Sequence, residues 1–238
     1  MTEFAPQLPH GAIEEVFENV FFVTGTMRGE FFGSVWQFSR NMTIVREGER
    51  LTLLNAVRLD EAGLAALDAL GTVTQVVRLG SMHGLDDAFY LDRYEASYWG
   101  LPAMPGGDGP PLDRELGAEG ALPFGGASLF VFEATKLPEC ILRLDREGGI
   151  MIACDALQNW VGPDAYFDDE TVQKMKDMGF FARAGVGPAW IHVNEPKPED
   201  FARLGELSYK HALCGHGEPL RDTAADEYRA TFARLFEV

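Results

Sequence analysis

Three β-rich runs lie far apart in this chain, and each stops at a residue able to hold a proton or a metal ion. Residues 72–79 (TVTQVVRL) read as a buried strand that runs into Ser81-Met82-His83-Gly84-Leu85-Asp86-Asp87. Residues 149–154 (GIMIAC) read as another strand, and Asp155 follows it. Residues 211–213 lead into Cys214-Gly215-His216-Gly217-Glu218-Pro219, a histidine set between two glycines. Loops held by a rigid scaffold are where binding and catalytic groups concentrate.

The runs between these points alternate in type. Residues 1–12 form a loose lead-in, and residues 13–25 (IEEVFENVFFVTG) alternate well enough for a strand. Residues 41–57 hold two β-rich runs about Glu47-Gly48-Glu49, a hairpin signal. Asp60 is placed to cap a helix with Leu64, Leu67 and Leu70 on one side, and Gly71 stops it. Residues 87–99 read as helical. Residues 102–126, rich in Gly and Pro, read as a loop insertion near the cleft, not a linker, because strands resume at once. Three short strands follow at 127–135, 139–144 and 149–154. Asp168 or Asp169 caps a helix carrying Val172, Met175 and Met178, which Gly179 ends. Further helices are expected near 198–207 and over 223–236. This mixing of helices and strands along all 238 residues favours one layered α/β domain over two.

The charge excludes some partners. The formal net charge is −17, so the chain lacks the cationic surface that nucleic acid or an anionic membrane would need. No apolar run approaches a membrane span, and no basic stretch followed by an apolar one marks a signal peptide. A cytoplasmic location and a small-molecule ligand are therefore expected. Cys140, Cys154 and Cys214 have no paired spacing, which argues against a disulfide framework or a cysteine zinc site. Cys140 and Cys154 read as small buried hydrophobes, and His192 and His211 as structural histidines in apolar surroundings. Phe31, Phe32, Trp36 and Phe38 read as core, with a pocket lining as the alternative.

A carboxylate and an imidazole on separate strand ends can converge on one ion, and such donors suit divalent first-row metals. Asp86, Asp87, Asp155 and His216 are the candidate ligands, with His83 nearby. Each has a plainer explanation. Asp86 and Asp87 could cap the following helix, Asp155 could cap a turn, and His216 could be a satisfied turn histidine. No nucleophile elbow, phosphate-binding loop or dinucleotide fingerprint is present.

The order Asp-Asp, later Asp, later Gly-His-Gly resembles the metallo-β-lactamase-fold superfamily. So do the opening EEVFENVFFVTG (14–25) and the late LCGHGEP (213–219). The resemblance runs from Glu14 through the last helix and implies an αββα sandwich, two mixed β-sheets flanked by helices. That superfamily has a Thr-His-x-His-x-Asp-His loop after a strand. In this chain its two leading histidines fall on Met82 and Gly84, its Asp on Asp86 and its final His on Asp87. A further metal histidine falls on or near Lys136. The resemblance therefore implies that one of two metal sites is lost. The second would keep Asp86, Asp87, Asp155 and His216, with His83 one place out of register as an accessory. Two readings of Lys136 stand together, an ammonium in place of the first ion or an exposed lysine.

These residues imply a divergent metal-dependent hydrolase holding at most one divalent ion, iron, manganese or zinc. Asp86 would orient or deprotonate the metal-bound water. The alternative is a non-catalytic relative that holds no ion and uses the old cleft to bind a small molecule or a partner.

Overall fold

The chain folds into β-sheets laid face to face, with helices covering both outer sides. The computed structural model describes residues 4–102, 104, 110–117 and 120–238. Glu14–Phe17 (β1), Val20–Phe31 (β2), Ser34–Glu47 (β3) and Arg50–Leu54 (β4) pair antiparallel in chain order. The chain then crosses through Glu61–Leu70 (α1) to Thr72–Val77 (β5), parallel to β4. Asp87–Tyr94 (α2) leads to Ser97–Gly100 (β6), and Arg114–Glu115 (β7) closes this seven-stranded mixed sheet.

The second sheet is built from Ala127–Val131 (β8), Cys140–Leu144 (β9) and Ile150–Ile152 (β10). Leu157–Trp160 (β11), Asp169–Asp177 (α3) and Ala182–Val186 (β12) follow, and β11 pairs antiparallel with β12 as a third, small sheet. Pro188–Asn194 (α4) and Pro198–Gly205 (α5) precede His211–Leu213 (β13), which joins the second sheet parallel to β10. Ala224–Phe236 (α6) ends the fold.

Strand alternation explains the layers. Successive residues of a strand face opposite sides, so a strand covered on both sides must be apolar at every position. In β9, Cys140, Leu142 and Leu144 meet Val45, Leu54 and Val77 of the first sheet. Ile141 between them packs outward with Trp190, Phe201 and Tyr228 from the helices. On the far side, Leu51, Leu53, Val73 and Val76 pack against Leu64 and Leu67 of α1 and Tyr90 of α2. Three apolar cores thus separate four layers. Each fully buried Leu, Ile or Phe contributes about 1.5–3 kcal/mol through removal from water.

Local signals place the helices. Asp60 accepts from Gly63 N–H at 2.7 Å and starts α1; Asp168 accepts from Thr171 N–H at 2.7 Å and starts α3. Residues 87–99 are not one helix. Glu95 turns into the left-handed region (φ 53°), and the buried aromatics Tyr98 and Trp99 continue as β6. The short β11, β12 and α4 carry too few residues for a periodic signal in the sequence. Residues 31–38 lie in a long β2–β3 hairpin arm, not in the closed core. His192 is exposed on α4, whereas His211 is buried between Glu147 O and Asp222 N–H. Part of the 1–12 lead-in and part of the 102–126 insertion lie outside the described residues. Among the described residues, no helix is long and apolar enough to cross a membrane.

Candidate metal centre

His83, Asp155 and His216 meet at one end of the sandwich. The segment after β5 supplies His83, the residues after β10 supply Asp155, and the turn after β13 supplies His216. His216 Nε2 lies 3.1 Å from Asp155 Oδ1 and 3.3 Å from His83 Nε2. His83 Nε2 lies 3.5 Å from Asp155 Oδ2. Among the described residues, ligand atoms of His83, Cys154 and Asp155 also lie within 4.8 Å of one another.

The Gly-His-Gly turn is fixed by its glycines and by one asparagine. Gly217 has φ +86°, and a Cβ there would stand 2.1 Å from Asn159 O. A Cβ on Gly215 would come within 3.1 Å of the His83 ring. Asn41 Nδ2 donates to Cys214 O at 3.0 Å and to Gly217 O at 2.7 Å, and its backbone N–H donates to Gly215 O at 2.8 Å. Trp160 stacks on the His216 ring, with centroids 4.7 Å apart.

Proton accounting narrows what the cluster can do. A backbone carbonyl only accepts, so His216 Nδ1, 2.9 Å from Ser39 O, carries a hydrogen. His216 Nε2 then presents either a second proton or a lone pair to Asp155 and His83. Burial pushes the Asp155 carboxyl up, but the His83 and His216 imidazoles outweigh it and hold the group well below the ordinary carboxylate range. Cys154 Sγ lies 3.3 Å from Asp155 Oδ2, and burial raises its thiol well above the usual value. Asp155 is thus an ionised carboxylate between two imidazoles.

The other expected residues stand elsewhere. Asp86 is buried, takes an ion pair from Arg40 of β3 and accepts from Arg58 N–H at 2.6 Å. It occupies the position before α2 but makes no capping bond there. A buried carboxylate needs a cation or donors, and Arg40 meets that need in place of a metal. Asp87 accepts from the Tyr98 hydroxyl at 2.7 Å, and burial raises its carboxyl above the ordinary range. Neither belongs to the ligand group around Asp155. Lys136 is 58% exposed and pairs with Glu195 at 2.6 Å, so its ammonium replaces no ion.

A cleft of about 520 Å³ opens over the cluster. Its walls include Phe31, Phe32, Trp36 and Phe38 of the hairpin arm, with Trp160 and Phe180. These aromatics therefore line a pocket. None of the described residues of 102–126 lines it; Leu116 and Phe124 pack instead in the core between the sheets.

Sequence reasoning missed Arg40, Ser39, Trp160 and Glu139. Glu139 Oε1 accepts from Ala156 N–H at 2.6 Å, and burial followed by the charge of Asp155 drives its carboxyl well above its ordinary value. Its one sequence signal is an acid directly before the apolar run 140–144.

No family model and no curated protein matches the sequence. Solved structures do. The chain is similar to DIM-1 metallo-β-lactamase exposed to ceftazidime at 14% identity and a TM-score of 0.61, over 98% of this chain and 99% of that one. It is similar to the mono-zinc form of the metallo-β-lactamase FIM-1 from Pseudomonas aeruginosa at 11% identity and a TM-score of 0.61, over 96% of each. A metallo-β-lactamase from Erythrobacter litoralis matches at 14% identity and a TM-score of 0.57, over 94% of this chain and 92% of that one. At this identity the likeness carries the fold. The chain has the metallo-β-lactamase fold, an αββα sandwich, with a possible metal site at the end where the loops converge.

Proposed function

We propose that this chain is a metal-dependent hydrolase that works with one divalent first-row ion held by His83, Asp155 and His216. The observation that carries the reading is the convergence of two imidazole nitrogens and a carboxylate at 3.1–3.5 Å. Ligand atoms about 2.1 Å from one tetrahedral ion sit roughly 3.3 Å apart. The His216 Nδ1–Ser39 O bond supports it further, because a metal-bound histidine commonly donates its other N–H to a carbonyl. Two imidazoles and one carboxylate suit iron(II), manganese or zinc.

When bound, the ion supplies a water of lowered pKa and a Lewis acid for the scissile carbonyl. The chain's own residues orient and insulate. Ser39 O holds the His216 ring, Trp160 covers one face of it, and the flanking imidazoles keep Asp155 ionised. Arg40 lines the cleft with its Nε–H unpaired among the described residues, a donor for a substrate oxygen. Asp86 stands behind Arg40 and fixes it. The ligand is a small molecule, and the three free, buried cysteines support a cytoplasmic setting.

The competing reading is a non-catalytic relative that binds a ligand in the cleft. It draws on the absence of imidazoles at Met82, Gly84 and Lys136. Elemental analysis of freshly purified protein decides between them. We expect about one equivalent of iron, manganese or zinc, lost in Asp155→Ala and His216→Ala and strongly reduced in His83→Ala, but kept in Asp87→Asn. No metal, even after incubation with these ions, sinks the hydrolase reading.

A further inference from the structure

The cleft walls say what kind of molecule fits them. The β2–β3 arm turns at Phe32-Gly33, and both residues have positive φ, 51° and 74°. A two-residue hairpin turn of this kind favours Asn-Gly, and a bulky residue in the left-handed region costs on the order of 1 kcal/mol. Here the strained position carries a phenylalanine that is 63% exposed and lines the cleft. Met82 and Leu85, also exposed, line the same cleft. A strained backbone that presents an exposed ring at a cleft mouth points to contact with a ligand.

The charges point the same way. Besides the imidazoles, the charged residues among the described lining are Glu30, Arg40 and Asp155. Arg40 is buried against Asp86, so its charge is already matched. An anionic substituent on the ligand body would meet rings and thioethers with no unmatched cation, and leaving water there is costly for a charge. A cleft of about 520 Å³ suits a body of two fused rings or an equivalent aliphatic chain.

We infer that the substrate is an uncharged molecule with an aromatic or aliphatic body seated against the hairpin arm, and one hydrolysable carbonyl group turned toward His83 and His216. This rests on the reading of the cleft as a hydrolase site.

The test is calorimetric titration of the protein as purified with 2-acetylnaphthalene and with 6-acetyl-2-naphthoate. These differ by one carboxylate at the ring end remote from the carbonyl. The neutral ketone is expected to bind at least about tenfold tighter. Phe32→Asn is expected to weaken its binding about fivefold while leaving metal content unchanged and raising stability, because Asn suits the turn. Equal or tighter binding of the carboxylate overturns the inference, and so does failure of both probes to bind. Metal content of the same sample separates the two ideas. Ketone preference without metal removes the hydrolase and keeps the cleft's selectivity. Metal with carboxylate preference does the reverse.

Discussion

Asp87 has one hydrogen-bond donor, the Tyr98 hydroxyl, for two buried carboxylate oxygens. Burial raises its folded-state carboxyl above the unfolded value, so the sign of its effect on stability is fixed. At low pH both states hold the proton. Above the unfolded value the unfolded chain ionises first, and stability falls as pH rises until the folded carboxyl also ionises. Each pH unit of that window costs about 1.4 kcal/mol. Asp87→Asn keeps an acceptor for Tyr98 and removes the charge. The difference in urea stability between variant and wild type should therefore grow in favour of the variant from about pH 4 to pH 8; a flat difference would contradict the burial argument. The same scale shows why His83 seemed out of place in the sequence. Its register assumes that the pleat of β5 continues beyond residue 79. The strand ends at Val77, and residues 80–86 follow a turning path with Gly84 at φ +105°. Pleat alternation has no meaning there, and the ring is free to turn toward Asp155.

The Gly-His-Gly element was legible because its glycines are obligatory. Gly217 combines a left-handed backbone with a carbonyl 2.1 Å from where a Cβ would lie, and a bridge joins it to Asn159 of β11. Gly217→Ala must therefore move the turn that carries His216. Its cost should be at least about 2 kcal/mol in denaturant unfolding, with metal binding lost. Gly162→Ala is the matching control, since its Cβ meets nothing within 4 Å. It should stay within about 0.5 kcal/mol of wild type. An unchanged Gly217→Ala protein would show that the turn is not rigidly held. The hairpin arm is the opposite case. Phe32-Gly33 carries no Asn-Gly signal, so the run of aromatics around it looks like core in the sequence. The arm became visible only through the long antiparallel register of β2 with β3.

At the scale of the whole molecule, the order of strands and helices was enough to define the layers, because period-two alternation and caps are local signals. What joins the layers at the cluster was less legible. Contacts such as Asn41 to Cys214 and Gly217, Asn55 Nδ2 to Ala153 O at 3.0 Å, and Arg40 to Asp86 link residues tens of positions apart. No periodicity encodes them, and the Asp86 assignment failed for that reason: its partner lies in β3, 46 positions away. The same contacts give the proposed ion a structural consequence. His83 follows a strand of the first sheet, whereas Asp155 and His216 follow strands of the second. An ion shared by the three ties the two sheets together in the folded state and finds no such site in the unfolded chain. At one hundred times its dissociation constant it would add about 2.7 kcal/mol. For a chain of this length that corresponds to a rise of roughly 5–10 °C in the unfolding midpoint. Chelation should lower the midpoint by that amount and re-addition of zinc or manganese should restore it. Asp155→Asn, which keeps an acceptor but weakens the ligand, should show neither change. A midpoint that does not respond to chelator or metal would leave His83, Asp155 and His216 as a hydrogen-bonded cluster without an ion.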